Sequence, residues 1–221
     1  MNKQEIRARI EEIGIIPALR VHSLEEAMFA IEAVSGGGIP MVEVTMTIPG
    51  ALEVISEVVR KKNGAIVGAG TVLDLGWARR CLNAGAMFLT SPGFDSKIVE
   101  FAANEHVVSM PGALTPTEVM NAAKAGADFI KIFPCAQVGG PSYIRALKSP
   151  FPELRFIASG GVTQVTVAEY IRAGAVAVGI GADLIHQDAI RRREASWILE
   201  LARRYVHMVG EARAQLKGVV S

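Results

Sequence analysis

Lys124-Ala125-Gly126-Ala127-Asp128-Phe129-Ile130-Lys131-Ile132-Phe133-Pro134 is the stretch on which the fold turns. Its first four residues put glycine where a helix ends in a left-handed turn. The residues after them form a short β-branched and aromatic run of the kind that builds a buried strand. The same exit recurs as Asn83-Ala84-Gly85-Ala86 and Arg172-Ala173-Gly174-Ala175, each just before another apolar run. The chain is therefore an internal repeat of about 20 to 26 residues, one strand and one helix at a time.

Working outward, the runs at 15–21, 41–46, 65–72, 87–90, 107–111, 129–133, 155–159 and 176–181 read as strands. Helical patterns lie between them, at 23–35, 49–62 and 166–173 among others. Several open at a Ser, Thr or Asp that can cap free N–H groups. Nearly continuous apolar strands predict a parallel sheet covered by helices, and eight consecutive βα units are the number that closes a (β/α)8 TIM barrel. An open doubly wound sheet is the competing architecture. No linker rich in Pro, Gly or Ser interrupts the repeat, so residues 1–221 are expected to form a single domain. An amphipathic lead-in helix precedes the first strand, and one long helix is expected over 188–216. Its Arg191-Arg192-Arg193 run reads as a solvated face.

Composition narrows the function. Of the 221 residues 50% are hydrophobic and 20% charged, and Lys+Arg 23 against Asp+Glu 22 leaves a formal net charge of +1. That balance excludes low-complexity disorder and carries no basic footprint for nucleic acid. No segment approaches the roughly 18 uninterrupted apolar residues of a membrane span, and the N-terminus lacks the continuous apolar stretch of a signal peptide. Cys81 and Cys135 cannot make a disulfide framework and sit in apolar surroundings, as buried free thiols do. A cytoplasmic protein with a small-molecule substrate is the expectation.

In a barrel of this kind the chemistry is built at the C-terminal ends of the strands. That filter selects Arg20, Glu43 with Thr45, Thr71, Ser91, Lys131 and Ser159. Lys131 is the most informative, because it interrupts an otherwise apolar strand while the other seven lysines fall on helical or terminal segments. Period-two alternation puts Phe129, Lys131 and Phe133 on one face. If that face points into the barrel, burial disfavours the charged form of the amine and frees a nucleophile toward a carbonyl. The competing reading is a lysine that pairs with an acid or reaches the rim. Glu43 interrupts the strand Met41-Val42-Glu43-Val44-Thr45 in the same way and is the matching acid or base, unless it serves only as a salt-bridge partner.

Ser159-Gly160-Gly161-Val162 and Gly179-Ile180-Gly181-Ala182 end the last two strands, where barrels often cradle phosphate on backbone N–H groups. Gly68-Ala69-Gly70-Thr71 is no dinucleotide loop: Leu73 stands where the third glycine belongs, and no acid follows at the right distance. The four histidines are scattered without metal-ligand spacing, so no metal and no cofactor are expected.

Taken in order, Val42-Glu43-Val44-Thr45, Val67-Gly68-Ala69-Gly70-Thr71-Val72, Ser91-Pro92-Gly93, Met110-Pro111-Gly112, Phe129 to Pro134 and Ser159-Gly160-Gly161-Val162 resemble the KDPG/KHG aldolase family. The resemblance runs from about Ile15 to Leu184. It implies a class I aldolase, a homotrimer of barrels, that cleaves 2-keto-3-deoxy-6-phosphogluconate or 4-hydroxy-2-oxoglutarate to pyruvate plus an aldehyde. It also implies that Lys131 is the Schiff-base lysine and Glu43 the general acid/base. Thr71 and Pro92 would line the pyruvate pocket, Phe133 would pack beside the lysine, and Gly160, Gly161, Gly181 and Ala182 would bind a distal phosphate. Some positions depart from the family pattern. Thr47 stands where the phosphogluconate branch carries a carboxylate-binding arginine, Arg20 looks like the arginine of the phosphogalactonate branch, Ser159 replaces a threonine, and Ala182 replaces a serine. Two other classes compete with the aldolase: a phosphosugar isomerase or epimerase on the same barrel, with Glu43 as base, and a non-catalytic sugar-acid binding barrel in which Lys131 and Glu43 form a fixed ion pair.

Overall fold

In the computed structural model, which describes residues 1–61 and 64–218, the strands run parallel in one ring. Helix α1 (Lys3–Ile13) leads into β1 (Ile15–Leu19), α2 (Leu24–Gly36), β2 (Met41–Thr45), α3 (Ala51–Lys61), β3 (Ile66–Gly70), α4 (Leu75–Asn83), β4 (Phe88–Thr90) and α5 (Ser96–Asn104). Next come β5 (Val108–Met110), β6 (Gly112–Ala113), α6 (Pro116–Lys124), β7 (Ile130–Ile132), a 3-10 turn (Ala136–Val138), α7 (Pro141–Lys148), β8 (Phe156–Ser159), α8 (Val167–Arg172), β9 (Ala175–Ile180), α9 (Gln187–Arg191) and α10 (Ala195–Gly218). The neighbour order is β5-β4-β3-β2-β1-β9-β8-β7-β6. This is the expected barrel.

The fifth strand is read from sequence at 107–111 but is split, because Pro111 has no N–H to give the ladder. The carbonyl of Pro111 still accepts from the Lys131 N–H at 2.9 Å, and pairing resumes at Gly112 against Lys131. So β5 pairs with β4 while its continuation β6 pairs with β7, and the ring closes. A Cβ at Gly112 would lie 2.1 Å from the Pro92 carbonyl oxygen, so only glycine lets the loop after β4 cross here.

Alternation along the strands sorts their side chains into two cores. Inside the ring, Ile16, Met41, Ile66, Phe88, Met110, Phe129 and Ile157 pack together, and Ile6 and Ile10 of α1 join them from one end. Outside it, Ile130, Ile132 and their counterparts meet the helices. Phe129 and Lys131 thus share the inward face, as the alternation requires. Helix α1 is held by reciprocal bonds between Asn2 and Glu5 at its start. Asp128 fastens it to the barrel: its carboxylate meets Lys3 at 2.9 Å and Arg7 at 3.7 Å and accepts the Ser109 N–H at 2.9 Å.

The helix exits are as expected, with φ of 102°, 87° and 104° at Gly85, Gly126 and Gly174. The segment expected at 49–62 is helical over Ala51–Lys61, and Lys62 lies outside the described residues. The long helix expected over 188–216 is instead two helices, α9 and α10. The break comes at Arg193, whose φ of 56° is left-handed and whose turn closes with Glu194 N–H on the Ala189 carbonyl at 2.9 Å. Arginine gives no sequence signal for that conformation, which costs about 1–2 kcal/mol in an L-residue. Here Arg193 pairs with Glu25 and lies 5.2 Å from the Phe29 ring. The three arginines are exposed, in keeping with a solvated face, and Arg191 pairs with Asp188.

One cation of α10 closes the floor. The Arg213 guanidinium donates to the carbonyls of Glu11 and Glu12, both at 2.6 Å, and of Val176 at 2.9 Å. These satisfy the end of α1, whose last carbonyls have no helical partner. Arg213→Ala is expected to cost about 3 kcal/mol, since bonds to a charged group are worth about 1.5–3 kcal/mol each and are not additive. Thermal unfolding checks this, with Arg213→Lys recovering only part because one ammonium cannot span three carbonyls. An unchanged melting temperature in Arg213→Ala would show the latch to be idle.

Candidate active site

Both charged residues that interrupt apolar strands point into the barrel and meet at one level. Glu43 comes from the middle of β2 and Lys131 from the middle of β7. Lys131 Nζ stands 3.6 Å from Glu43 Oε2, with the side chains only 12% and 7% exposed. Burying such a pair is poor value for stability, because desolvation offsets most of the attraction. Its placement therefore needs another reason. The Phe133 ring centroid lies 5.4 Å from Nζ and covers the amine on one side. On the other strand, a Cβ at Gly70 would lie 2.1 Å from Glu43 Oε1, so the carboxylate rests directly on β3 where only glycine leaves room.

Above the pair opens a cavity of about 440 Å³, within the range of small-molecule sites. Lys131, Glu43, Arg20, Thr71, Pro92, Phe133, Ser159, Gly160, Gly161, Gly181 and Ala182 all line it. Thr71 holds a left-handed φ of 58° at the end of β3. Gly160 and Gly161 are left-handed too, with φ of 85° and 83°. A Cβ at Gly161 would sit 2.4 Å from the Ala136 side chain. Among the described residues the N–H groups of Gly161 and Val162 donate to no protein acceptor, so the turn is free to receive an anion. Arg20 is exposed at the mouth, and its guanidinium has no ion-pair partner among the described residues. Its own carbonyl accepts from Gln187 Nε2 at 2.5 Å.

Two sequence candidates fall beside the cavity. Thr45 is buried, and its hydroxyl donates to the Leu19 carbonyl at 2.8 Å and meets Thr47 Oγ1 at 2.9 Å. The strand ends at Thr45, and it is Thr47 that reaches the cavity wall. Ser91 donates to the Gly93 carbonyl at 2.6 Å and shapes the loop carrying Pro92.

A family model described as KDPG and KHG aldolase matches residues 6–201. The chain belongs to that family. The 2-dehydro-3-deoxy-phosphogluconate aldolase of Treponema pallidum is 30% identical over 91% of this chain and 96% of its own. The KHG/KDPG aldolase of Escherichia coli is 31% identical over 87% and 90%. Among solved structures, a KDPG aldolase from Legionella pneumophila, with pyruvate captured as a covalent carbinolamine, superposes with a TM-score of 0.84 at 29% identity, covering 89% of this chain and 96% of that one.

This aldolase is thus a carbon–carbon lyase of the KDPG/KHG type, and among the described residues no helix is long and apolar enough to cross a membrane. Its cavity contains residues that sequence reasoning missed. Ala18, Thr163 and Asp183 line it too, beside Val162 and Gly179 of the two glycine turns already singled out. Asp183 accepts from the Gln164 N–H at 3.2 Å and from the Tyr205 hydroxyl. It thereby ties the turn after β8 to the turn after β9 and to α10. Burial first, and then Asp183, holds the Tyr205 hydroxyl far above its ordinary pKa, which keeps it a donor. Nothing in the local pattern flagged Asp183, since its partners lie 19 and 22 residues away. Cys81 and Cys135 are free and buried, and burial pushes both thiols up to about 11, so neither is a nucleophile near neutral pH.

Proposed function

We propose that the enzyme is a class I, Schiff-base aldolase that cleaves a 2-keto-3-deoxy sugar acid, phosphorylated or not, or 4-hydroxy-2-oxoglutarate, to pyruvate and an aldehyde. The observation that carries this reading is the desolvated Lys131 ammonium held 3.6 Å from the Glu43 carboxylate at the floor of the cavity. An amine and a carboxylate held side by side at the floor of a cavity suit a nucleophile that adds to a carbonyl and an acid/base that passes its protons.

The chemistry then follows from the placement. Lys131 adds to the keto carbon and Glu43 passes the protons that turn the carbinolamine into an iminium and water. Glu43 next takes the proton of the C4 hydroxyl, the C3–C4 bond breaks, and its electron pair moves into the iminium to give an enamine. The aldehyde leaves, the enamine carbon regains a proton, and water releases pyruvate and the free amine. Thr71, Pro92 and Phe133 enclose the pyruvate half. The turns at Gly160, Gly161, Gly181 and Ala182, with Ser159 below them, face the distal half. The covalent carbinolamine in the Legionella relative supports the reading. A homotrimer in the cytoplasm, with no metal or cofactor, belongs to the same proposal.

Borohydride trapping with pyruvate, followed by intact mass and peptide mapping, tests it. A reduced pyruvate adduct on Lys131 is expected. Bound pyruvate without an adduct would sink the Schiff base and bring forward an isomerase or a binding protein. Arg20, as an unpaired cation at the mouth, is expected to engage an anionic tail. Arg20→Ala should raise KM about tenfold for a phosphorylated or dicarboxylate substrate and leave pyruvate trapping unchanged. Equal effects on both would remove Arg20 from that role.

A further inference from the structure

Lys131 and Glu43 have a second side. Next to the main cavity, with which it shares Ser159 and Gly179, they cover a void of about 10 Å³ that is also bounded by Thr90 and by Ile16 and Met110 of the inner core. Thr90 lies on β4, is only 3% exposed, and its Oγ1 makes no hydrogen bond to protein. A buried hydroxyl left without a partner pays the full loss of its hydration, and such groups in folded proteins are usually satisfied by ordered water. The void is close to the volume of about 10–15 Å³ that one water needs. It also offers the two to four polar partners that hold a buried water in place. The ion pair points the same way. At 3.6 Å, Nζ and Oε2 are beyond the roughly 2.7–3.2 Å of a direct N–H···O bond, and contacts of that length are commonly bridged.

We propose that this void is a one-water site, and that Thr90 is a positioning residue which, through that water, holds Lys131 and Glu43 in the pose they present to the substrate. Ser159 offers the water a fourth partner from β8. Thr90 borders this void and not the substrate cavity, so the water stands on the inner-core side of the pair. It fixes the two heads against each other and gives the carboxylate a partner, tied to Thr90, that stays in place as protons move on the substrate side. Thr90 touches no substrate in this arrangement. The structural claim stands on geometry alone, while its kinetic consequence rests on the Schiff-base reading above.

Thr90→Val keeps the shape and removes the hydroxyl, and Thr90→Ser restores it. If the hydroxyl holds a water, the ligand-free Val variant should melt about 2–4 °C below the wild type, and the Ser variant should recover. If the hydroxyl is idle, Val removes an unsatisfied buried group and melts at or above the wild type, which overturns the water site. The kinetic arm follows exchange of the pyruvate methyl protons in D2O by NMR, a readout of the proton steps alone. Val should slow it about tenfold at an unchanged KM for pyruvate, while the borohydride adduct still forms and Ser restores the rate. An unchanged exchange rate in Val overturns the positioning role. Failure of the Schiff-base reading is seen separately, as a wild-type enzyme that yields no trapped adduct, and the melting comparison then decides the water site by itself.

Discussion

Lys131→Met is expected to reduce aldol cleavage by on the order of 10⁴-fold or more while the barrel stays folded. The proposed mechanism has no route around the amine, because the electron sink for C3–C4 cleavage is the iminium that this nitrogen makes. Methionine fills most of the volume of the lysine stem, so the packing against Phe133 is largely kept. Removing one partner of a buried pair is ordinarily destabilising. Here the stranded carboxylate borders an open cavity and can find water, so the loss of stability should be much smaller than the loss of rate. Steady-state cleavage with a lactate dehydrogenase couple, together with a thermal melt, separates the two. A variant that is folded and fully active would end the role of Lys131.

Gly70→Ala is expected to give the second largest effect, and it acts without changing the identity of any functional group. The added methyl would sit 2.1 Å from Glu43 Oε1 and 2.5 Å from its Cδ and Cγ, distances no real contact tolerates. Glu43 must therefore swing away from its place on β3. Since a positioned acid or base contributes about 10²–10⁴ in rate, kcat should fall by about 10²-fold or more. Pyruvate should still be trapped on Lys131, more slowly than in the wild type. Wild-type kcat in this variant would mean that the position of the carboxylate over β3 does not matter to turnover.

The barrel and the core of its site were legible because each leaves a local mark. Glycine after a helix, as at Gly85, Gly126 and Gly174, reports a left-handed exit through its freedom from a Cβ. A charge inside an apolar strand, as at Lys131 and Glu43, reports an inward polar position through the cost of burying it. Features without such a mark escaped. The left-handed turn at Arg193 is held by Glu25 and Phe29, more than 160 residues away in sequence, and not by its own residue type. Thr45 and Thr47 alternate equally well on paper, and only the end of β2 at Thr45 decides which hydroxyl reaches the cavity. Thr90, next to the more conspicuous Ser91, carries no signal either. A threonine in a strand is ordinary, and only the three-dimensional void beneath the ion pair distinguishes it.

The Arg213 latch has a consequence for how the protein is made. Its acceptors on α1 lie 201 and 202 residues earlier in the chain, so the helix that seals the floor leaves a ribosome long before its fastener does. Throughout synthesis the carbonyls of Glu11 and Glu12 await a donor that has not yet been translated. A nascent chain can therefore assemble strands and inner core in sequence, but the base of the barrel gains its final hold only when the C-terminal helix folds back across it. Chains released before residue 213 would keep every group of the catalytic pair and lack the tie that joins beginning to end.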